Sequence, residues 1–73
     1  MMAGLNLNIM GQNIRRMRIE RGWTQKDLSV QAALSVSQLS KLERGVSSMT
    51  VSTFFKLCDA LICKPADILK GAE

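Results

Sequence analysis

The sequence predicts an all-α fold, a compact five-helix bundle built around a central helix-turn-helix at residues 24–45. Three observations predict it. From Met10 onward the apolar residues recur at helical rather than alternating spacing. Thr24, Ser35 and Thr50 each stand where a side-chain oxygen caps a helix start. The connections are short, as a compact helical domain requires, and no internal repeat or low-complexity stretch interrupts them.

Residues 1–8 read as an N-terminal tail. Leu5, Leu7 and Ile9 alternate with Asn6 and Asn8, a strand-like period without an evident partner strand. Loose packing or disorder accounts for it, and a β-arm exchanged between subunits is the alternative. Helix one is expected over Ile9–Arg21, capped by Asn8 and closed by Gly22, with Met10, Ile14 and Met17 as its buried stripe. Arg15, Arg16 and Ile19 point elsewhere. Arg15 or Arg16 could reach a phosphate, each as readily as it could be solvated, and Arg15 is the one carried forward as a candidate phosphate contact.

Helix two is expected over Gln25–Ala32 and helix three over Val36–Arg44. Thr24 is followed three residues on by Asp27, and Ser35 by Gln38, the spacing of a capping box. Trp23 with Leu28, and Leu34 with Leu39, have hydrophobic-staple spacing. Ala32 and Ala33 let the two helices approach at the turn. Leu28, Ala32, Leu39 and Leu42 then face inward, and Gly45 closes helix three in a left-handed conformation. Val36, Ser37, Gln38, Ser40, Lys41 and Arg44 face outward. That is the arrangement in which a second helix lies in a DNA major groove.

Thr50 caps helix four, Val51–Leu61, with Met49 and Phe54 at staple spacing. Phe54, Leu57, Cys58 and Leu61 form its buried stripe, and Val51 and Phe55 are expected to widen it. Pro65 suits the first position of helix five, Pro65–Leu69, which Gly71 ends. The folded domain is therefore expected at residues 9–70, with helices four and five at 50–70 serving core and dimerisation. This segment holds more apolar residues than a small core needs. Phe55, Ile62 and Leu69 are the candidates for a two-fold interface.

The 73 residues make one small domain, and 47% hydrophobic content argues against disorder. No apolar run suits a membrane span or a signal peptide, so a cytoplasmic protein without a membrane partner is expected. Cys58 and Cys63 are not spaced as a disulfide framework or zinc site and read as reduced core thiols. No metal and no cofactor is expected. Enzyme activity is not expected either: there is no histidine, no glycine-rich phosphate loop and no activated cysteine.

Charge is unevenly placed. Residues 1–44 carry seven basic groups against three acidic ones, whereas residues 45–73 carry three of each. All the excess positive charge lies with the two-helix motif, which suits a nucleic-acid partner. Lys41 can donate to guanine and Gln38 can pair with adenine. Val36 can touch a thymine methyl, and Ser37 can bond several bases. Ser40 and Arg44 are placed for the backbone, and Thr24 and Gln25 stand at a helix N-terminus that favours a phosphate. A few contacts read only a few base pairs, so a homodimer on an inverted-repeat operator is expected.

With these residues placed, the chain resembles the Xre-type helix-turn-helix family, which includes the phage lambda-type repressors and Cro proteins. The resemblance runs from about Met10 to Leu69. It rests on Gly11, Ile14, Met17 and Arg18; on Gly22-Trp23-Thr24-Gln25 and Leu28; on Leu34-Ser35, Leu39, Leu42, Glu43 and Gly45; and on Phe54, Leu57, Ala60 and Leu61. It implies a lambda-repressor-like domain that binds double-stranded operator DNA, usually as a dimer. It also implies a phosphate contact by Gln25, base contacts by Val36, Ser37 and Lys41, and a buried ion pair between Arg18 and Glu43. Ala33 stands where glycine is usual, Ser29 where alanine is, and Met49 where proline is common. A serine inside helix two needs a hydrogen-bond partner if buried. The competing function is an antitoxin or accessory protein-interaction module with a protein partner such as a toxin. The polar, basic face of helix three argues against a purely protein-binding role. Phage repressor, restriction-modification controller and antitoxin all fit the size of the chain.

Overall fold

The computed structural model describes residues 4–73, and these form five helices with no strand among them: α1 (Leu7–Glu20), α2 (Gln25–Ala32), α3 (Val36–Arg44), α4 (Val51–Leu61) and α5 (Pro65–Leu69). α1 packs on α3 and α5, and α2 packs on α3 and α4. One core joins Met10, Ile14, Leu28, Leu39, Leu57, Leu61 and Ile68, each fully buried, with Met17, Ala32, Leu42, Phe54 and Cys58 around them. No described helix is long and apolar enough to cross a membrane.

Local chemistry sets the helix starts. Thr24 Oγ1 accepts from the Asp27 N–H at 3.1 Å, and Asp27 Oδ2 accepts from the Thr24 N–H at 2.8 Å, a complete capping box. That backbone hydrogen bond, then the Thr24 hydroxyl, holds the Asp27 carboxyl below its ordinary value. Ser35 caps α3 through the Gln38 N–H at 3.0 Å, and Thr50 caps α4 through the Thr53 N–H at 3.1 Å. Ser29 is buried, and its hydroxyl donates to the Lys26 carbonyl at 2.7 Å, so no polar atom is stranded inside α2.

Three expectations need correction. α1 begins at Leu7, two residues before the sequence reading, with Asn6 rather than Asn8 as its cap. The Asn6 N–H donates to the Ala72 carbonyl at 2.8 Å, and Leu5 and Leu7 lie against the core. Leu7 and Asn8 are thus helical rather than tail, and the described part of residues 1–8 forms no β-arm. Residues 1–3, the rest of that tail, lie outside the described residues. Val51 and Phe55 do not widen the buried stripe of α4, being 41% and 50% exposed. Leu69 is half-buried against the core, so only part of it is left for an apolar surface face.

The α2–α3 turn runs through Ala33 in the left-handed region, at φ 55° and ψ 43°. This conformation costs an L-residue about 1–2 kcal/mol, whereas glycine at such a site loses roughly 0.5–1 kcal/mol more chain entropy on folding. Ala33 is exposed, so a smaller side chain forfeits little packing. Ala33→Gly is therefore expected to stabilise the domain by about 0.5 kcal/mol, read as a higher urea midpoint at unchanged slope. A lower midpoint would show that the turn carries no such strain.

Candidate nucleic-acid interface

The candidate site is the outer face of α3, and α1 fixes how that helix is presented. Gly11 sits where the two helices cross. A Cβ there would lie 2.5 Å from the Glu43 carbonyl oxygen and closer still to that of Leu42. Gly45, at φ 72°, closes α3 against the start of α1, where a Cβ would come within 2.5 Å of Asn8 Cα. Both contacts are backbone against backbone. The helices approach closely because two glycines stand at the crossing.

Charge locks the same crossing. Arg18 Nε donates to Glu43 Oε2 at 2.7 Å and Arg18 Nη2 to Glu43 Oε1 at 3.0 Å, a forked pair with both residues under a tenth exposed. Arg18 Nη1 donates to the Trp23 carbonyl at 2.8 Å, which ties in the chain entering α2. Gln25 Nε2 donates to Glu43 Oε1 at 3.1 Å. Glu43 therefore holds α1, the start of α2 and α3 in one register. Every buried side-chain nitrogen and oxygen among the described residues has a partner.

The remaining α3 side chains are then sorted by the helix period. Leu39 and Leu42 enter the core with Glu43. Val36, Ser37, Gln38, Lys41 and Arg44 are exposed, and Ser40 is half-buried. Glu43 is the only acidic residue of α3, so the outward face has two cations and no anion. Arg44 Nε reaches back to the Ser40 carbonyl at 3.3 Å. Among the described residues neither Lys41 nor Arg44 forms an ion pair within 4.0 Å.

Thr24 and Gln25 stand at the start of α2, Thr24 exposed and Gln25 half-buried. The bond to Glu43 uses one hydrogen of the Gln25 amide and leaves the other for an anion. Arg15 lies one helical turn beyond Gly11 and one turn before Arg18, on the flank of α1 nearest α3. Arg16 lies on the opposite flank, 3.7 Å from Glu20 and bonded to Asn13. The structure thus brings Val36, Ser37, Gln38, Ser40, Lys41 and Arg44 onto one helix face, with Gln25 joined to it through Glu43. Phe55 and Ile62 lie elsewhere, on and just after α4.

Two supporting roles are not evident in the sequence. Asn13 Nδ2 donates to the Ile68 and Lys70 carbonyls at 2.7 and 2.9 Å, capping α5 from α1. Gln25 positions Glu43 as well as meeting solvent. Arg18, Gly11 and Ile14 share one helical face, and that periodicity is the signal for the crossing. The side chain that crosses from α2 to α3 has no such local signature. Among the described residues no group of three histidine, cysteine, aspartate or glutamate side chains is placed to hold a metal.

Residues 13–71 match the family described as Cro/C1-type HTH DNA-binding domain. The chain is 40% identical over 53 residues to the uncharacterised HTH-type transcriptional regulator y4dJ of Sinorhizobium fredii, covering 73% of this chain and 69% of that protein. It is 36% identical over 62 residues to the HTH-type transcriptional regulator DdrOP3 of Deinococcus deserti. That match covers 85% of this chain and 48% of the relative, so the chain spans about half the relative's length. Among solved structures, the restriction-modification controller protein C.AhdI of Aeromonas hydrophila superposes with a TM-score of 0.82 at 29% identity, over 85% of this chain and 94% of that one. The phage P22 c2 repressor, solved with a synthetic operator, gives a TM-score of 0.80 at 30% identity, over 86% and 96%.

Proposed function

The chain belongs to the Cro/C1-type helix-turn-helix DNA-binding family and is a DNA-binding transcriptional regulator; we propose that it acts in the cytoplasm as a homodimer on an inverted-repeat operator, with α3 of each copy in the major groove. The observation that supports this most is the composition of the α3 face. Six outward positions carry Val36, Ser37, Gln38, Ser40, Lys41 and Arg44, and the single carboxylate is neutralised inside. In this reading Val36, Ser37, Gln38 and Lys41 meet base edges. Thr24, Gln25, Arg15, Ser40 and Arg44 meet phosphates and fix the register.

The two roles separate experimentally. Lys41→Ala is expected to lose discrimination at one base position of each half-site, worth about 1–3 kcal/mol. Gln25→Ala is expected to weaken all sequences alike. Selection of bound duplexes from a random pool at physiological salt supplies the operator, and the same assay on each variant reads the difference. Equal losses across sequences for both variants would overturn the assignment of Lys41.

For the dimer, the supporting observation is an exposed apolar face at α4. Val51 and Phe55 lie one turn apart on α4 and Ile62 follows just past its end, and they are 41%, 50% and 87% exposed. Phe54 braces Phe55 edge-on from the core, with ring centroids 5.5 Å apart. Phe55→Glu is expected to shift a dimer to monomer in sedimentation and to lower operator affinity without altering the half-site preference. A wild-type chain that sediments as a monomer both free and on its operator would remove the dimer from the proposal.

A further inference from the structure

The end of α4 brings two thiols together. Ile62 takes the left-handed conformation, with φ and ψ both 51°. Its N–H donates to the Asp59 carbonyl at 3.2 Å, and the Cys63 N–H donates to the Cys58 carbonyl at 3.0 Å. This pair of bonds is a Schellman turn, in which the side chains joined by the longer loop, here Cys58 and Cys63, meet in what is ordinarily an apolar contact. Both cysteines are free, Cys58 buried and Cys63 half-buried. The DNA face uses neither.

We propose that Cys58 and Cys63 are an oxidisable pair that a hydroperoxide closes into an intrachain disulfide. Cys63, the more accessible, reacts first. Its thiolate sulfur attacks a peroxide oxygen, the O–O bond breaks, and the leaving oxygen takes a proton to depart as water or alcohol. The product is a sulfenic acid on Cys63. The Cys58 sulfur then attacks the Cys63 sulfur, the S–O bond breaks, and the hydroxide leaves as water with the proton from Cys58. Two thiols give up two electrons and the peroxide accepts both.

The surroundings order these roles. Burial pushes the Cys58 thiol up to about 11, with Cys63, Asp59 and Asp67 adding to the effect. Cys58 is thus a poor first nucleophile, suited to the second step. Burial also raises Cys63, as does Asp67 from α5, whereas the Cys58 thiol and the guanidinium of Arg21, just past the end of α1, act the other way. The attacking species is the thiolate, so closure is expected to quicken as the pH rises from neutral toward the raised value of Cys63.

The test is mass spectrometry of the full chain after treatment with hydrogen peroxide. Trypsin releases Leu57–Lys70 with both cysteines, because Lys64 precedes a proline. The expected fragment is lighter by two hydrogens and recovers its mass on reduction. The chain should run as a monomer on a non-reducing denaturing gel, with closure faster at pH 8.5 than at pH 7. Cys63→Ser is expected to show no loss of hydrogen and no oxidation at Cys58. An untouched fragment, sulfinic or sulfonic acid on Cys63 without the internal bond, or cross-linking between chains in its place would overturn the proposal.

Discussion

Glu43→Ala is expected to remove about 3–5 kcal/mol of folding stability, about half the stability of a domain this small, about 5–10 kcal/mol. The loss does not measure the ion pair itself. Arg18 is 8% exposed, and with Glu43 gone its guanidinium keeps only the Trp23 carbonyl. The cost is a cation left in a place built to neutralise it. A second consequence follows at α2, because Gln25 loses the acceptor that holds its amide. The prediction is checked by urea denaturation of Glu43→Ala and of the double variant Arg18→Met, Glu43→Met. The double variant is expected to recover most of the loss, since two apolar side chains of similar length leave no charge behind. If the double variant were as unstable as the single one, desolvation of Arg18 would not be the cause. Even a stable double variant is expected to bind DNA less well than wild type, since nothing then anchors Gln25.

Much of this fold is written locally. The starts of α2, α3 and α4 each carry a hydroxyl residue whose oxygen meets the N–H three residues on. Nothing beyond four consecutive residues is needed to find them. The start of α1 is different. Asn6 and Asn8 are equally good caps by type, and the choice falls to Asn6, whose N–H reaches the Ala72 carbonyl at the far end of the chain. Burial on α4 fails for the same reason. Period 3.6 gives the centre of the apolar stripe, Phe54, Leu57, Cys58 and Leu61, but not its width. Width depends on where α2 and α5 stop covering the helix, and they leave Val51 and Phe55 outside. Leu69 differs in the opposite direction, because the core covers part of a residue that composition alone marks as surplus. The outward face of α3 was legible because the caps fix its register and the period does the rest. The bond from Gln25 to Glu43 was not, since it joins two helices through a turn whose geometry no local pattern states.

The crossing of α1 and α3 supplies the other large effect. Helix propensity alone says that Gly11→Ala should stabilise, because alanine is favoured over glycine inside a helix by about 0.8–1.0 kcal/mol. The structure reverses the sign. The new methyl would overlap the carbonyl oxygens of Leu42 and Glu43, which belong to the backbone of α3 and cannot rotate away. Forcing extra volume into a packed contact typically costs about 1–3 kcal/mol, and a backbone obstacle puts this site at the top of that range. The net expectation is a loss of about 2 kcal/mol, with a lower urea midpoint at unchanged slope. Operator affinity should fall further than stability alone explains, because the helices can relieve the overlap only by moving α3 relative to α1 and the start of α2. Gly22→Ala separates the two causes. Gly22 has φ 72° and no atom within 4 Å of a built Cβ, so alanine there meets backbone strain without overlap. Set against the entropy that glycine loses on folding, it is expected to cost about 0.5 kcal/mol and to leave the DNA affinity of the folded protein unchanged. A Gly11→Ala protein that is more stable than wild type, with operator binding intact, would mean that α1 and α3 do not approach as closely as the two carbonyls place them.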